Sequence, residues 1–326
     1  MPDWNPVELI GRAPNALAYS LYRLLITQSS WRIARKRMGY AVPEGQELMV
    51  SLAGQPFIDS RLSFHSYLPG DIRKELGIKI VDHCVKKLRD TPSLHDKIEF
   101  EIAVTCYSLD IRDRINKLYG EILDANEKNE LFEQLKNLTI PLISGDTESS
   151  IEKCILKIDK LKNVPKITDP KNPANLFLQI ENCIELGTIQ FAMLARHGFI
   201  AKSMLDSMVT KKIFTSDESA KLMRSIRTIT TEMVEDIGKL KQSRIDIEDF
   251  MELYGHLRPG TYDILSKRYD QMKEFESLLK TNYEHESETE DVKYISSLFV
   301  ERVFDSTNTT HRRTDFFLCS YSKSGE

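Results

Sequence analysis

Apolar residues recur at every fourth position between residues 72 and 88, and this spacing is the strongest constraint that the sequence places on the fold. The series consists of Ile72, Leu76, Ile80, Cys84 and Leu88. Side chains four residues apart lie on the same face of an α-helix, so the series predicts an amphipathic helix. Asp90-Thr91-Pro92 should end it, because proline disfavours helical geometry in the residue that precedes it.

Similar patterns extend over most of the chain, which has only 14 glycines and 12 prolines among 326 residues. They predict further helices over residues 14–38, 94–109, 111–123, 187–208 and 247–254. Gly39 stands where a C-terminal glycine cap is expected, and Asp246 and Gly255 are placed to cap the last of these helices. The expected fold is therefore mainly α, a bundle-like array of many helices.

Residues 47–64 differ from this pattern, because their apolar residues alternate around a glycine–proline turn. The alternating residues are Leu48, Val50, Leu52, Phe57, Ile58, Leu62 and Phe64, with Gly54-Gln55-Pro56 between them. A period of two around such a turn predicts a small N-terminal β-hairpin.

A long apolar stripe lies in the second half of the chain. Its members are Leu222, Ile226, Ile229, Met233, Ile237 and Leu240, which follow the capping-box sequence Thr215-Ser216-Asp217-Glu218. The spacing predicts one helix with an apolar face sustained over about five turns. Such a face packs either against the core or against a partner. A partner-binding face would be exposed in the monomer, and an intramolecular one would be buried.

The changes in composition along the chain predict four segments. An N-terminal helix and hairpin occupy residues 1–70. A helical segment follows at 71–165, a second helical module at 172–282, and a polar, mobile tail at 283–326.

Charge and cysteine content limit the class of protein. There are 45 Lys and Arg against 49 Asp and Glu, a net charge of −4 that excludes a nucleic-acid binder held by a large basic field. The five cysteines are scattered, and we expect them to be buried thiols in a reducing compartment. The N-terminus lacks the pattern of a signal peptide and the apolar runs are short, so we expect a cytoplasmic protein without a membrane segment.

The richest chemistry lies in the sequence YGHLRPGTYD, residues 254–263. Two glycines and a proline force a loop after a helix, and the loop carries His256, Arg258, Tyr262 and Asp263. Arginine offers a bidentate fork to phosphate or carboxylate, and histidine donates to the same oxygens or transfers a proton. The alternative is that the arginine and the aspartate only join the loop to neighbouring helices.

Two further groups of residues are candidates. Arg196, with His197 and Lys202 on the helix at 187–208, is a candidate phosphate ligand, although a helix that covers a core with an arginine at its edge has the same pattern. Asp3 and Asn5 place two oxygen donors on one side of an extended segment, as a Mg²⁺ site requires. The alternative for Asp3 and Asn5 is a turn-forming terminus.

Several long stretches of the sequence carry a family resemblance. They are WNPVELIG (4–11), SLYRLLIT (20–27), LAGQPFIDSRLSFHSYLP (52–69), LHDKIEFEI (94–102), GTIQFAMLARHGFIAKSML (187–205) and FMELYGHLRPGTYDILSKRYD (250–270). In this order the chain resembles the central region of phosphoenolpyruvate synthase-like, PEP-utilising phosphotransferases, which are related to pyruvate phosphate dikinase. The resemblance covers about residues 2–280, and it implies that residues 1–70 include the end of an ATP-grasp module.

The resemblance implies ATP-driven phosphoryl transfer with Mg²⁺. In this family an ATP-grasp module phosphorylates a histidine on a swivelling domain, which passes the phosphoryl group to pyruvate or another acceptor. The chain departs from the pattern, because it is too short to contain the ATP-grasp body and lacks a P-loop or a glycine-rich segment that ends in a phosphorylatable histidine. We therefore do not carry the phosphohistidine role over to His197 or His256.

The sequence thus predicts a central helical fragment of a PEP synthase-like phosphotransferase that is inactive alone. Its partners would be ATP-grasp and phosphohistidine domains encoded separately, with no nucleic acid and no membrane. One alternative is a stand-alone helical interaction protein that uses the 222–240 stripe or the 256–263 loop. Another is an active small-molecule kinase, a transferase of phosphoryl groups.

Overall fold

The computed structural model describes residues 5–145, 147–165, 172–226, 228–258 and 267–272. The chain divides into two compact units, one with the described residues up to Lys211 and the other with those from Lys212 onward. Helices dominate both units, which confirms the prediction of a mainly α fold. The predicted tail at 283–326 lies outside the described residues.

The first unit begins with short helices where the sequence predicted one long helix over 14–38. α1 spans Pro6–Ile10, α2 Ala16–Tyr22 and α3 Ser30–Arg37, and a π-helix at Arg23–Thr27 separates α2 from α3. The helix is interrupted because Ser29 leaves helical geometry, with φ −143°, and the Ser30 hydroxyl donates to the Leu25 carbonyl at 2.6 Å. Gly39 follows α3 with φ +86°, as expected for a glycine that ends a helix.

The hairpin is confirmed, although it is shorter than predicted. β1 (Met49–Leu52) pairs antiparallel with β2 (Gln55–Ile58), and Leu52 is opposite Gln55. Ala53 and Gly54 make the turn, both with positive φ, the geometry that favours a two-residue hairpin loop. Residues 60–65 instead form α4 (Ser60–His65), because the Asp59 carboxylate accepts from the Leu62 amide at 3.0 Å and caps a helix there.

The four-residue series forms α5 from Leu76 onward, and Ile72 precedes the helix. α5 spans Lys74–Asp90 and buries Leu76, Ile80 and Cys84. A 3₁₀-helix at Pro92–Leu94 follows, and then α6 at Ile111–Tyr119 and α7 at Ala125–Ser144. These helices enclose the first core, to which they contribute Leu76, Ile80, Ile115, Leu131 and Leu135, among others.

The predicted helix over residues 94–109 is wrong for most of its length. A π-helix spans Ile98–Ile102, and the chain is then extended at Ala103, with φ −112° and ψ 150°. Side chains satisfy the backbone here: the Val104 amide donates to the Tyr119 hydroxyl at 3.1 Å, and the Tyr107 amide donates to Thr139 Oγ1 at 2.9 Å. Because these bonds come from distant residues, the local sequence pattern does not reveal them.

The remaining elements of the first unit surround a second core. They are α8 (Ile151–Asp159), a 3₁₀-helix at Lys160–Asn163, α9 (Pro173–Asn182), a π-helix at Cys183–Thr188 and α10 (Ile189–Thr210). This core joins α3, α8 and α10 through Ala34, Met38, Cys154, Ile189 and Met193. Cys84, Cys106 and Cys154 are buried as predicted, whereas Cys183 is exposed on the surface of its π-helix.

The second unit contains α11 (Ser216–Ser225), α12 (Ile229–Lys241), α13 (Ile247–Tyr254) and a 3₁₀-helix at Tyr269–Gln271. The capping box is confirmed, since Thr215 Oγ1 accepts from the Glu218 amide and Glu218 Oε2 accepts from the Thr215 amide. Asp246 occupies the N-cap position of α13 but makes no capping hydrogen bond through its side chain. Gly255 ends α13 as predicted.

The apolar stripe lies on two helices and not on one. The Thr228 hydroxyl accepts from the Thr231 amide and begins a new helix, α12, in the middle of the stripe. Met233, Ile237 and Leu240 pack around the buried Phe250 and Tyr254 of α13. Ile226 and Ile229 are 48% and 68% exposed. The part of the stripe on α12 from Met233 to Leu240 is therefore packed within the second unit, and partner binding by the exposed residues stays a prediction.

Candidate functional site

The most distinctive feature of the first unit is an ion pair in its interior. Arg196 of α10 contacts Glu99 of the π-helix Ile98–Ile102, and their side chains are 0% and 3% exposed. Arg196 Nη2 also donates to Thr105 Oγ1 at 3.2 Å. An arginine is rarely buried to this degree unless its charge is compensated.

Aromatic rings surround this pair. The Tyr67 hydroxyl donates to Glu99 Oε1 at 3.0 Å, so the carboxylate has a neutral donor as well as a cationic one. The Arg196 Cζ atom lies 5.5 Å from the centre of the Tyr67 ring and 4.9 Å from that of Phe199. Rings at this distance attract a guanidinium group through their quadrupole. We call Tyr67, Glu99, Thr105 and Arg196 the buried ionic network.

A second arginine lies next to the network. Arg35 of α3 is 5% exposed, and its Cζ atom is 5.1 Å from the Tyr67 ring and 5.4 Å from the Tyr40 ring. The Tyr40 hydroxyl donates to the Thr105 carbonyl oxygen at 3.1 Å. Burial raises the pKa of the Tyr40 phenol, so it stays protonated and remains a donor. The network thereby extends to α3.

The π-helix presents Glu99 to the interior. Ile98 and Ile102 are buried in the first core on either side of it, and Glu101 is exposed. Arg114 Nη2 of α6 donates to the Glu99 carbonyl oxygen at 3.1 Å and holds the backbone from outside. π-Helical turns are rare and occur frequently at functional sites.

His197, the residue after Arg196, joins α10 to a loop. Its Nε2–H donates to the Ser149 carbonyl oxygen at 2.7 Å, and the Ser149 hydroxyl donates to the Arg37 carbonyl oxygen at 2.8 Å. Burial is the main cause that lowers the pKa of His197. The imidazole is therefore neutral at pH 7 and serves as a structural donor.

Only one side of the YGHLRPGTYD loop lies in the described residues. His256 is exposed and Arg258 is half-buried, while Tyr262 and Asp263 lie outside the described residues. The base of the loop is held by two hydrogen bonds, from the Tyr269 amide to the Leu257 carbonyl oxygen and from the Asp270 amide to that of Gly255.

Two residues of the described loop base have clear structural roles. A Cβ on Gly255 would lie 2.3 Å from the Met251 carbonyl oxygen and 3.1 Å from Asp270 Cβ, so only glycine fits there. The Tyr254 hydroxyl donates to Asp236 Oδ2 at 2.9 Å, and burial together with Asp236 raises the pKa of Tyr254 to about 12. A ligand-binding role for the loop stays a prediction.

The other candidates engage in contacts within the protein. Asn5 Oδ1 accepts from the Val7 amide at 3.1 Å and caps α1, and Asp3 lies outside the described residues. Arg196 contacts Glu99 and Thr105, so a phosphate group that bound Arg196 would have to displace these contacts. In the described residues, no group of three or more His, Cys, Asp and Glu side chains is arranged to hold a metal ion. Binding of ATP or Mg²⁺ stays a prediction, and we derive no chemical step from it.

Sequence reasoning found Arg196 but missed Glu99, Tyr67 and Arg35. The segment Ile98-Glu99-Phe100-Glu101-Ile102 alternates apolar and acidic residues, and nothing in that pattern tells the buried glutamate from the exposed one. A buried arginine requires a partner of opposite charge. A carboxylate flanked by apolar residues, such as Glu99 between Ile98 and Phe100, was therefore the signal that could have been searched for in the sequence.

Comparison with protein-family models, with curated proteins and with solved structures finds no match for the chain. Within the described residues, no helix combines the length and the apolar character that a membrane-spanning segment requires.

Proposed function

We propose that the chain is the helical middle module of a PEP synthase-like phosphotransferase. In this proposal it acts as a rigid support between an ATP-grasp domain and a phosphohistidine domain. ATP, Mg²⁺ and pyruvate bind to the assembled enzyme, and the chain alone does not turn over.

The buried ionic network is the observation that supports the proposal best. Tyr67, Glu99 and Arg196 belong to three separate stretches that carry the family resemblance, at 52–69, 94–102 and 187–205. The fold brings these three side chains together by direct contacts in the interior. Residues from three of the stretches that resemble the family thus contact one another in one network. This is expected if these stretches support a structure that the family has in common.

The free-energy cost of breaking the buried ionic network agrees with a role as a rigid structural support. Removing one partner of a buried ion pair costs about 3–5 kcal/mol, because the other charge is left uncompensated. Each partner therefore accepts few alternative positions, and the elements that carry them keep a fixed register. Phosphoryl transfer depends on accurate positioning of its reacting groups, so a support with one defined geometry serves it well.

The test is reconstitution. The chain is mixed with separately purified ATP-grasp and phosphohistidine domains of a PEP synthase-like enzyme, and ATP- and pyruvate-dependent formation of PEP is measured. We expect turnover only when all three are present. Glu99→Gln should reduce it, and Glu101→Gln, on the exposed side of the same π-helix, should not. ATP turnover by the chain alone, or no turnover with both domains, would contradict the proposal.

One observation favours the second candidate, a stand-alone interaction protein. Leu176, Phe177 and Leu178 of α9 and Phe191 of α10 are all at least half exposed, at 53%, 62%, 51% and 53%. Large apolar side chains exposed on neighbouring elements are typical of contact surfaces. If this function is the correct one, reconstitution fails, and the chain self-associates in sedimentation experiments in a way that Phe177→Asp abolishes.

A further inference from the structure

The hairpin of the first unit has an outer face that is apolar although it is exposed. Val50 is directly opposite Phe57, and Leu52, two residues further along β1, projects to the same side. The side chains of Val50, Phe57 and Leu52 are 43%, 44% and 59% exposed. An antiparallel sheet with one solvated face normally has polar residues on that face. The hairpin therefore carries an apolar surface that the described residues leave about half open.

The inner face of the hairpin packs against the rest of the unit. Met49 is buried, and Ile58 packs against a small core that contains Trp31 and Leu62. Because successive side chains of a strand alternate between the two faces of a sheet, this packing fixes which face of the hairpin is turned outward.

The hydrogen-bond register shows which backbone groups of the hairpin remain open. The Asp59 amide donates to the Leu48 carbonyl oxygen at 2.9 Å, so these two residues form a hydrogen-bonded pair. Such pairs alternate with non-hydrogen-bonded ones along an antiparallel ladder, and the next one is Val50–Phe57. The amide and the carbonyl of Ser51, one position further along, therefore point away from β2.

The two outer edges of the hairpin differ. On β2, Pro56 is opposite Ser51; it has no N–H to offer, it is buried, and α1 packs against this strand. On β1, Ser51 is exposed, and no described residue shares a hydrogen bond with its backbone amide or carbonyl. Proteins usually protect an edge strand with a proline, a charged side chain or a covering element. β2 has such protection, and β1 at Ser51 does not.

Charge does not oppose the approach of a second hairpin to this edge. Residues 48–58 include no charged side chain. Of the flanking acidic residues, Glu47 is paired with Arg23, and Asp59 caps α4. Two copies of the edge can therefore meet without repulsion between like charges.

We propose that β1 pairs with β1 of a second copy of the chain, so that the two hairpins form one four-stranded antiparallel sheet across a two-fold axis. When the pairing is centred on Ser51, its amide and carbonyl exchange two hydrogen bonds with those of the partner's Ser51. Val50 then lies opposite the partner's Leu52, and the apolar outer faces of both hairpins become continuous. A two-stranded hairpin is marginally stable by itself, and additional strands stabilise it.

The short edge limits the strength of this dimer. A strand of four residues buries less than the roughly 800 Å² per partner of a standard interface, so we expect a reversible dimer that is populated at about 100 µM protein. The inference does not depend on the proposed phosphotransferase function. It also differs from self-association through α9, which belongs to the second candidate function.

Sedimentation equilibrium of the full chain at increasing concentration tests the pairing. Ser51→Pro removes the outward N–H from both copies and leaves the bonds between β1 and β2 intact, because the Ser51 amide takes no part in them. The dissociation constant of the dimer should rise at least about tenfold, since two hydrogen bonds are lost. Phe177→Asp, on α9, is the control and should leave the dissociation constant unchanged.

Two combinations of charges on the outer face test the register. Val50→Lys with Leu52→Lys places like charges directly opposite each other across the two-fold axis and should leave the protein monomeric. Val50→Glu with Leu52→Lys places opposite charges there and should preserve the dimer. Both residues are exposed, so neither combination places a charge in the interior.

Three results would overturn the proposal. The first is a protein that stays monomeric up to about 1 mM. The second is a dimer that Ser51→Pro leaves unchanged or that Phe177→Asp abolishes. The third is an equal effect of the two charge combinations, which would show that the outer faces do not meet in this register. Circular dichroism establishes that each variant keeps its fold. If Ser51→Pro does not fold, the two combinations of exposed charges decide the test.

Discussion

In the interior of the first unit a guanidinium group and a carboxylate meet, whereas the described interior of the second unit is built from apolar and aromatic side chains. Arg196 and Glu99 come from elements far apart in the chain. Phe250 and Tyr254 of the second unit pack on Met233, Ile237 and Leu240 from the neighbouring helix. The interior of the first unit depends on a contact between residues distant in the sequence. The interior of the second unit depends on apolar residues that recur along two helices adjacent in the sequence.

The difference shows which kind of substitution each unit tolerates. Apolar contacts are non-directional, and volume-conserving changes in them usually cost less than 1.5 kcal/mol. A buried charge has no such tolerance, because its partner remains in the interior without compensation. We therefore expect the most sensitive positions of the molecule in the first unit.

The largest effect should follow from Glu99→Ala. Arg196 would be left buried beside the Tyr67 ring without its carboxylate, and we expect a loss of about 3–5 kcal/mol in the free energy of unfolding. Urea denaturation measures this. Glu101→Ala, in the same π-helix but exposed, is the matched control and should change stability by less than about 0.5 kcal/mol. Equal losses of stability in the two variants would show that the buried carboxylate is no more sensitive than the exposed one, and the contrast drawn for the first unit would be wrong.

In the second unit we expect a smaller loss of stability, and the loss should differ between the packed and the exposed residues of the apolar stripe. Ile237→Ala removes a side chain that packs on Phe250 and Tyr254, and it should cost about 2 kcal/mol. Ile229→Ala changes a residue that is 68% exposed and should cost less than about 0.5 kcal/mol. Thermal unfolding of both variants measures the difference. A larger loss in Ile229→Ala would mean that the stripe is buried along its whole length.

The smallest effect concerns pH. The pKa of His197 is lowered in the fold, chiefly by burial, from about 6.5 in the unfolded chain. The unfolded state therefore binds this proton first as the pH falls, and the stabilisation from the neutral imidazole is lost from about pH 6.5 downward. His197→Gln keeps a donor for the Ser149 carbonyl oxygen and does not titrate. Its stability should depend less on pH between 7.5 and 5.5, and an unchanged slope would contradict this account.

Local patterns predicted the parts of the fold that local forces determine. The four-residue series forms α5 from Leu76 onward, the alternation around Gly54 forms the hairpin, and Thr215 forms its capping box. Each of these depends on side chains within a few residues of one another. The period of apolar residues and the chemistry of caps are sufficient for such elements.

The errors arose where distant residues decide the backbone or where a local side chain outweighs the apolar period. The helix expected at 94–109 is replaced by a π-helix and an extended segment, because Tyr119 and Thr139 take the amides of Val104 and Tyr107. The helix over 14–38 is interrupted at Ser29 and the stripe at Thr228, where a local competitor outweighs the apolar period.

The candidate site was predicted only in part for the same reason. Arg196 was recognised as an unusual residue on a helix that covers a core, but its burial and its partners depend on tertiary structure. The 96 residues between Glu99 and Arg196 contain no pattern that pairs them. Only the fold shows that this arginine faces a carboxylate and two aromatic rings.

A double-mutant cycle between Glu99 and Arg196 tests the central claim most directly. The free energies of unfolding of Glu99→Gln, Arg196→Met and the double variant are compared with that of the wild type. If the buried pair holds the first unit together, the double variant loses less than the sum of the single losses, by about 1–3 kcal/mol. Additive losses would show that the two side chains do not interact, and the account of a shared ionic framework would be wrong.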